Sequence, residues 1–375
     1  MAEKIVVMGT RGIPDVQGGV ETHVEKLYPR LVKKGYDVTV LCRKCYFDSD
    51  VSLSEYKGVK LEYLYAPKKK SFEAIIHSVL CVFRAKKLKA DILHVHAIGP
   101  GLVILMAKMM GLKVVFTHHG PDYDRQKWNA VAKFMLKLGE RTAVKHSNEV
   151  IVISEVIKKH IKKLYGRGNS NLIYNGVEIP EKVHDDKVLQ EYGLSKDKYI
   201  FTAARFVEEK GFHDLINAYQ KTKLFKEGYK LVLAGDADHE TEYSLRLKEM
   251  AKKTPGIVLP GFIKGHKLAV LFSNAKLFVL PSYHEGLPFS LLEAMSYSLD
   301  VLISSIPAHK EIKLPKDNYF NVGDVHDLAT ALETIVLNAK LQRESWEEFI
   351  SQILQRYDWN KIVDQTSAVY RKILD

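Results

Sequence analysis

Short apolar runs alternate with helix-period segments along almost the whole chain, and that alternation admits few folds. Ile5-Val-Val-Met8, Tyr36–Cys42, Ile92–Val95, Val114–Thr117 and Glu149–Ile153 are of strand length. Between them, apolar residues recur every three or four positions, as in Val20, Val24, Leu27 and Leu31 after Gly18-Gly19. Further helices are expected near Phe72–Lys87, Leu102–Met110 and Asn129–Lys145. The grammar then restarts. Tyr199–Ala203, Lys230–Ala234, Ile257–Leu259, Leu277–Leu280 and Val301–Ser304 read as strands, with helices over Gly211–Thr222 and after Gly235-Asp236. Parallel strands need a crossover, and a helix is the usual one, so the class is α/β with two doubly wound parallel sheets. A chain of 375 residues exceeds one ordinary core. The turn-rich stretch Asn175-Gly-Val-Glu-Ile-Pro180 lies between the halves and marks the linker, giving domains 1–174 and 175–357. Ligands of such sheets bind beyond the carboxyl ends of the strands, so the cleft between the domains is the expected site.

Charge and composition narrow the partners. The formal net charge of +11 points to anionic ones: nucleic acid, acidic phospholipid or phosphorylated substrate. No zinc-finger spacing or RNP motif is present, so nucleic acid is not expected. The longest candidate for a membrane span, Gly101–Leu112, is short and interrupted by Lys108. The chain runs from Met1-Ala-Glu-Lys4 directly into a strand, without a signal-peptide pattern. Three cysteines make no disulfide framework, and a cytoplasmic location is the expectation.

The segment Glu285-Gly-Leu-Pro-Phe-Ser-Leu-Leu-Glu293 carries the most chemistry. A strand is expected to end at Pro281, and a helix to open near Pro288. Helix N-termini present unpaired N–H groups and partial positive charge, which suits a phosphate, and Gly286 allows close approach to backbone. Two carboxylates flank this anion site, as a sugar joined to a diphosphate would require.

Other constellations each have a plainer reading. Gly9-Thr-Arg-Gly12 through Gly18-Gly19 sits between a first strand and helix, where phosphate can meet backbone N–H groups. It does not match G-x-G-x-x-G, and Arg43 rather than an acid ends the second strand, leaving open a 2′-phosphate and an NADP-type enzyme. Arg205 and Lys210 flank a strand end and a helix start and could neutralise a diphosphate; taken alone, solvated charges paired with Glu208-Glu209 explain them as well. His118-His119-Gly120 closes a strand. Neighbouring strand residues face opposite ways, so the two histidines are a poor chelating pair, and His94 and His96 are expected to pack. Cys42-Arg-Lys-Cys45 lacks a second pair and reads as ordinary thiols. Lys68-Lys-Lys70 leads a helix with Phe72, Ile75, Ile76, Val79 and Phe83 on its apolar stripe, then Arg84, Lys86, Lys87 and Lys89. It suits an anionic membrane surface, although a sheet-covering helix with a basic rim is the simpler reading.

Together these residues resemble glycosyltransferase family 4, the retaining group 1 enzymes of GT-B fold, nearly end to end. The resemblance rests on Gly18-Gly19-Val-Glu21, Thr117-x-His119-Gly120, Asn175-Gly-Val and Arg205 with Lys210-Gly211. It continues through Gly261-Phe262, Pro281-Ser282 with Glu285-x7-Glu293-Ala-Met, and Tyr357-Asp-Trp359. It implies two Rossmann-like domains facing across a cleft, with a last helix, about 358–375, completing the first. It implies a nucleotide-sugar donor, UDP-linked by preference, and a glycan or lipid-linked acceptor in cell-surface polysaccharide or glycolipid synthesis. Gly18 and Gly19 would approach the donor phosphates, Arg205 and Lys210 bind the diphosphate, and Glu293 hold the ribose. Glu285 and His119 would contact the transferred sugar, Gly286, Pro288 and the N–H groups of Leu287 and Phe289 surround the distal phosphate, and Phe262-Ile263 border the base. Ala204 departs from the glycine usual before the arginine.

A glycosidase pair is the rival for two glutamates. Hydrolases place their carboxyls ~5 Å or ~6.5–9.5 Å apart, whereas eight helical steps span about 12 Å. Cations and a helix terminus can stabilise a departing diphosphate without a general acid. Front-face transfer with retention is therefore expected, with no cofactor and, for want of a DxD motif, no metal. A non-catalytic nucleotide-binding protein at a membrane surface is the further alternative.

Overall fold

The computed structural model describes residues 2–47, 53–67, 73–121, 123, 129–237, 240–337 and 343–375. The chain divides into two compact units, one of Met1–Gly176 with Trp359–Asp375 and the other of Val177–Asp358. In chain order the first contains β1 (Lys4–Met8), α1 (Gly19–Lys33), β2 (Asp37–Arg43), β3 (Glu55–Tyr56), β4 (Val59–Leu64), α2 (Glu73–Lys87), β5 (Ile92–His96), α3 (Ile104–Met109), β6 (Val114–His118), α4 (Ala130–His146), β7 (Glu149–Val152), α5 (Glu155–Tyr165) and β8 (Asn171–Leu172). The described strands form one sheet in the order β3-β4-β2-β1-β5-β6-β7-β8, parallel throughout except for the β3–β4 hairpin. Every residue of β5 and β6 is buried. Unbroken burial, rather than alternation, is what covering both faces of a parallel sheet produces.

The second unit continues with α6 (Asp186–Glu191), β9 (Tyr199–Ala203), α7 (Phe212–Lys221), β10 (Lys230–Ala234), α8 (Glu242–Lys253), β11 (Ile257–Gly261), α9 (Gly265–Asn274), β12 (Leu277–Leu280), α10 (Phe289–Ser296), β13 (Val301–Ser304), α11 (Pro307–Lys310), β14 (Tyr319–Phe320), α12 (Val325–Leu337) and α13 (Arg343–Leu354). Its sheet runs β11-β10-β9-β12-β13-β14, all parallel. The wholly buried rings of Phe201, Phe272 and Phe278 meet edge-on or tilted at 4.9–6.1 Å. Each such side chain contributes about 1.5–3 kcal/mol by leaving water. The last helix, α14 (Trp359–Leu374), belongs to the first unit. There Tyr370 packs edge-on against Tyr36 at 5.5 Å, and the Tyr36 and Ser367 hydroxyls are hydrogen-bonded at 2.7 Å.

Strand order locates the site. In the second unit β9 lies between β10 and β12, so successive connections leave β9 in opposite directions and the chain reverses between β9 and β12. A crevice opens at such a switch point, beyond the carboxyl ends of the two strands. The loops that follow them are Ala204–Gly211 and Pro281–Pro288. In the first unit the same reversal falls between β1 and β5.

Helix α2 corrects the expected stripe. Its buried residues are Glu73, His77, Ser78, Cys81, Val82 and Ala85, while Ile76 and Phe83 are exposed. Glu73, whose carboxylate takes a 2.7 Å ion pair from Arg43, anchors the first turn on this inward face, which carries His77 and Ser78 together with Cys81, Val82 and Ala85. Lys68, Lys69, Lys70 and Phe72 lie outside the described residues.

Candidate active site

In the second unit, Lys210 and Glu285 meet. The Lys210 ammonium donates to Glu285 Oε1 at 2.5 Å, with the side chains only 17% and 9% exposed. Ser282 Oγ donates to the same oxygen at 2.6 Å. Both bonds fall on Oε1, which leaves Oε2 for another donor. Burial by itself would raise the Glu285 pKa, but Lys210, His309 and the hydrogen bonds outweigh it and hold the carboxyl below its usual value. The Glu285 carboxyl is therefore ionised, and Lys210, in contact with it, is not a solvated surface charge matched to its chain neighbours.

Backbone contacts hold the two loops together. Gly211 has φ 66°, and a Cβ there would stand 2.2 Å from the Pro281 carbonyl oxygen, so only glycine permits this approach. The Tyr283 N–H donates to the Glu209 carbonyl at 2.8 Å. Tyr283 also donates its hydroxyl to Asp214 and stacks on His213 at 6.0 Å. Helices α7 and α10 start at these loops, behind Gly211 and Pro288, and neither has a side-chain N-cap. Their first-turn N–H groups and positive ends thus begin where Lys210 and Glu285 converge.

Other expected residues take definite places. Arg205, half-buried, follows the end of β9. Gly286 and Leu287 precede the helix; Phe289 opens α10 and Glu293, partly buried, is in its middle. Only the second half of the Glu285–Glu293 interval is therefore helical. Phe262, 48% exposed, and the partly buried Ile263 follow β11. Sequence reasoning missed His309 on α11. Its Nδ1 donates to the Ser304 carbonyl at 2.8 Å, and Ser304 Oγ donates to the Ser282 carbonyl at 2.5 Å. Burial holds His309 down at about 4 although Glu285 opposes the shift. Nothing in its Ile-Pro-Ala-His context announces this role.

In the first unit, Gly18 caps α1 with φ 150°, and a Cβ there would overlap the Glu21 carboxylate and the Arg11 guanidinium. Arg11 donates to Glu21 Oε1 from its backbone N at 3.0 Å and from Nε at 3.3 Å. This bracing of the Gly12–Gly19 loop was also missed. The histidines separate as strand geometry requires. His118 is wholly buried: its Nε2 donates to Glu140 Oε1 at 2.7 Å, and its Nδ1 accepts from the Gly120 N–H at 3.0 Å. His119 is partly exposed, with Nε2 2.9 Å from His96 Nδ1. Both ring nitrogens of His118 are committed to protein, so His119 is the one that can meet a ligand. Arg43, which an NADP reading would use, is committed to Glu73. Cys42 and Cys45 are not joined in a disulfide.

Comparison with known proteins completes the assignment. The family model described as Glycosyltransferase Family 4 matches residues 17–180, and the model described as Glycosyl transferases group 1 matches residues 185–351. The chain belongs to the group 1 glycosyltransferases of family 4 type. Alpha-maltose-1-phosphate synthase of Mycolicibacterium smegmatis is 24% identical, with 99% of each chain covered. Among solved structures, sucrose-phosphate synthase of Thermosynechococcus elongatus superposes with a TM-score of 0.85 at 20% identity, covering 99% of this chain and 98% of that one. Anabaena HepE in complex with UDP-glucose superposes at 0.81 and 17% identity, covering 99% and 100%. The fold of this glycosyltransferase is GT-B, built from two Rossmann-like units. Lys210, Glu285 and the start of α10 all lie within the group 1 segment.

Proposed function

We propose that this glycosyltransferase moves a sugar, with retention, from a nucleotide-sugar, UDP-linked by preference, to a hydroxyl of a glycan or lipid-linked acceptor. The observation that carries the reading is the desolvated Lys210–Glu285 pair between two uncapped helix starts at the switch point. Arg205 and Lys210 bind the diphosphate, the start of α10 takes the distal phosphate, and Glu293 holds the ribose. Glu285 Oε2 accepts a hydroxyl of the transferred sugar. In the first unit, Gly18 and Gly19 serve the donor phosphates and His119 the sugar. UDP is favoured because HepE, a structural neighbour, was solved with UDP-glucose.

In the transfer step the bond from the anomeric carbon to the phosphate oxygen breaks and the acceptor oxygen bonds on the same face. The acceptor proton passes to the departing phosphate oxygen. Cationic and dipolar stabilisation of that oxygen replaces a general acid. Neither cofactor nor metal takes part in this scheme.

Titration with UDP, GDP, dTDP and NADP, followed by turnover with the preferred nucleotide-sugar, tests the reading. Lys210→Ala and Glu285→Ala should each lower kcat/KM by about 10²–10³, the scale of one lost charge-stabilising group. EDTA should leave turnover unchanged. Tight NADP binding without UDP binding, or near-normal turnover in both variants, would overturn it.

A cell-surface acceptor and a peripheral location on the inner membrane face are part of the proposal. Among the described residues no helix is long and apolar enough to cross a membrane. Exposed apolar residues instead form stripes on three neighbouring helices: Ile76, Leu80 and Phe83 on α2, Leu105 and Met109 on α3, and Val131, Phe134 and Leu138 on α4. Lys86, Lys87, Lys137, Arg141 and Lys145 are exposed beside them, whereas the acids of α2 and α4, Glu73 and Glu140, are buried. Apolar stripes with basic and no exposed acidic companions suit anionic lipid.

A further inference from the structure

A chain of buried polar groups in the first unit ends at His119. Tyr370 on α14 lies 2.6 Å from His94 Nδ1, and His94 Nε2 lies 2.7 Å from Thr117 Oγ1. The Tyr28 hydroxyl is 2.6 Å from His96 Nε2 and 2.8 Å from His94 Nδ1. His96 Nδ1 is 2.9 Å from His119 Nε2. Tyr28, His94, His96 and Tyr370 are fully buried, whereas His119 reaches partial exposure.

The proton order follows from chemistry and distance. Burial holds His94 and His119 near 3 and His96 well below its usual value, so all three rings are neutral near pH 7. A neutral imidazole has one donor and one acceptor nitrogen. A phenol gives its proton readily to an imidazole nitrogen, and the shortest contacts pair Tyr370 with His94 and Tyr28 with His96. His94 Nε2–H then donates to Thr117. His96, accepting at Nε2, must carry its proton on Nδ1 and donate it to His119 Nε2. His119 is left with its proton on Nδ1, the nitrogen not used within the chain. The ring of His23, 5.6 Å from His96 and 5.2 Å from His119, walls the relay and is itself kept neutral by burial.

We propose that Tyr28 and His96 are positioning residues that hold His119 in its Nδ1–H tautomer, so that it presents a hydrogen-bond donor to an oxygen of the transferred sugar. This rests on the reading that His119 contacts that sugar. Reversing every bond of the chain would present an acceptor instead, so the tautomer decides which sugar oxygens the site favours.

Long-range proton–nitrogen correlation spectra of the full-length, ¹⁵N-histidine-labelled protein at pH 7 report the protonated nitrogen directly. The His119 signal is assigned by its loss in His119→Ala. The expected spectrum is Nδ1-protonated in the wild type and a mixture of tautomers in Tyr28→Phe. Tyr28→Phe should lower kcat about tenfold to a hundredfold, the range for loss of an orienting partner, with UDP affinity unchanged. An Nε2-protonated His119 in the wild type overturns the proposal whatever the behaviour of Tyr28→Phe. So does an unaltered tautomer in Tyr28→Phe. Wild-type turnover in His119→Ala would overturn the sugar contact itself, an outcome the wild-type spectrum cannot produce and so distinguishes.

Discussion

Two glutamates show how differently the same side chain is used. Glu285 is held ionised by a lysine beside the expected phosphate site, whereas Glu140 is wholly buried and receives its donors from histidine and tyrosine side chains. His118, His160, Tyr123 and Tyr165 reach its two oxygens at 2.6–3.1 Å. Burial would raise its pKa, yet the hydrogen bonds from His118, His160 and Tyr165 bring it well below the carboxylate range. A depressed folded pKa gives stability that is full above the unfolded value, about 4.3, and is lost as pH falls toward the folded one. Glu140→Gln should therefore cost about 3 kcal/mol at pH 7, as breaking a buried ionic network does, and cost less at pH 3. Denaturant unfolding of wild type and variant at both values checks this; a gap of constant size would mean Glu140 is not the titrating group. Because Glu140 anchors His118, the same cluster fixes which way the strand end faces.

Elements decide whether the catalytic candidates converge. The loops after β9 and β12 are joined where Gly211 lies against Pro281, and Tyr283 reaches back to Glu209. Gly211→Ala would place a Cβ against backbone oxygen in a left-handed conformation, so a destabilisation of about 1–3 kcal/mol is expected. UDP affinity should fall with it, because Lys210 immediately precedes the glycine. Gly168→Ala is the control, since a Cβ there meets nothing within 4 Å. Melting temperature and calorimetric UDP titration on both variants give the comparison, and equal behaviour would show that the loop junction is not constrained. The strands named from apolar runs are nearly those observed. Strands β3, β4, β8 and β14 escaped notice, because two-residue strands such as Glu55-Tyr56 and Asn171-Leu172, and the alternating, partly exposed β4, have no apolar run to mark them.

For the molecule as a whole, a formal charge of +11 and exposed apolar stripes on α2, α3 and α4 make association with anionic bilayers the testable consequence. Co-sedimentation should be strong with phosphatidylglycerol vesicles, weak with phosphatidylcholine, and reduced by salt as charges are screened. Phe83→Ser with Phe134→Ser should weaken binding without lowering the melting temperature, because both rings are already exposed at 55% and 65%. Equal binding to neutral and anionic vesicles would remove the membrane from the proposal.

The amino-acid order alone settled the strand–helix alternation, the restart after Asn175, and the loops that follow β9 and β12, because periodicity and turn chemistry act between near neighbours. It also supplied Lys210 and Glu285 as candidates, but not as a pair. Their contact joins residues 75 positions apart, the first turn of α2 is anchored by Arg43 reaching Glu73, and His118 and His119 acquire different roles only from Glu140 and His96. Those outcomes belong to tertiary structure, since desolvation and hydrogen-bond partnership are set by which distant segments pack together and leave no mark on local sequence.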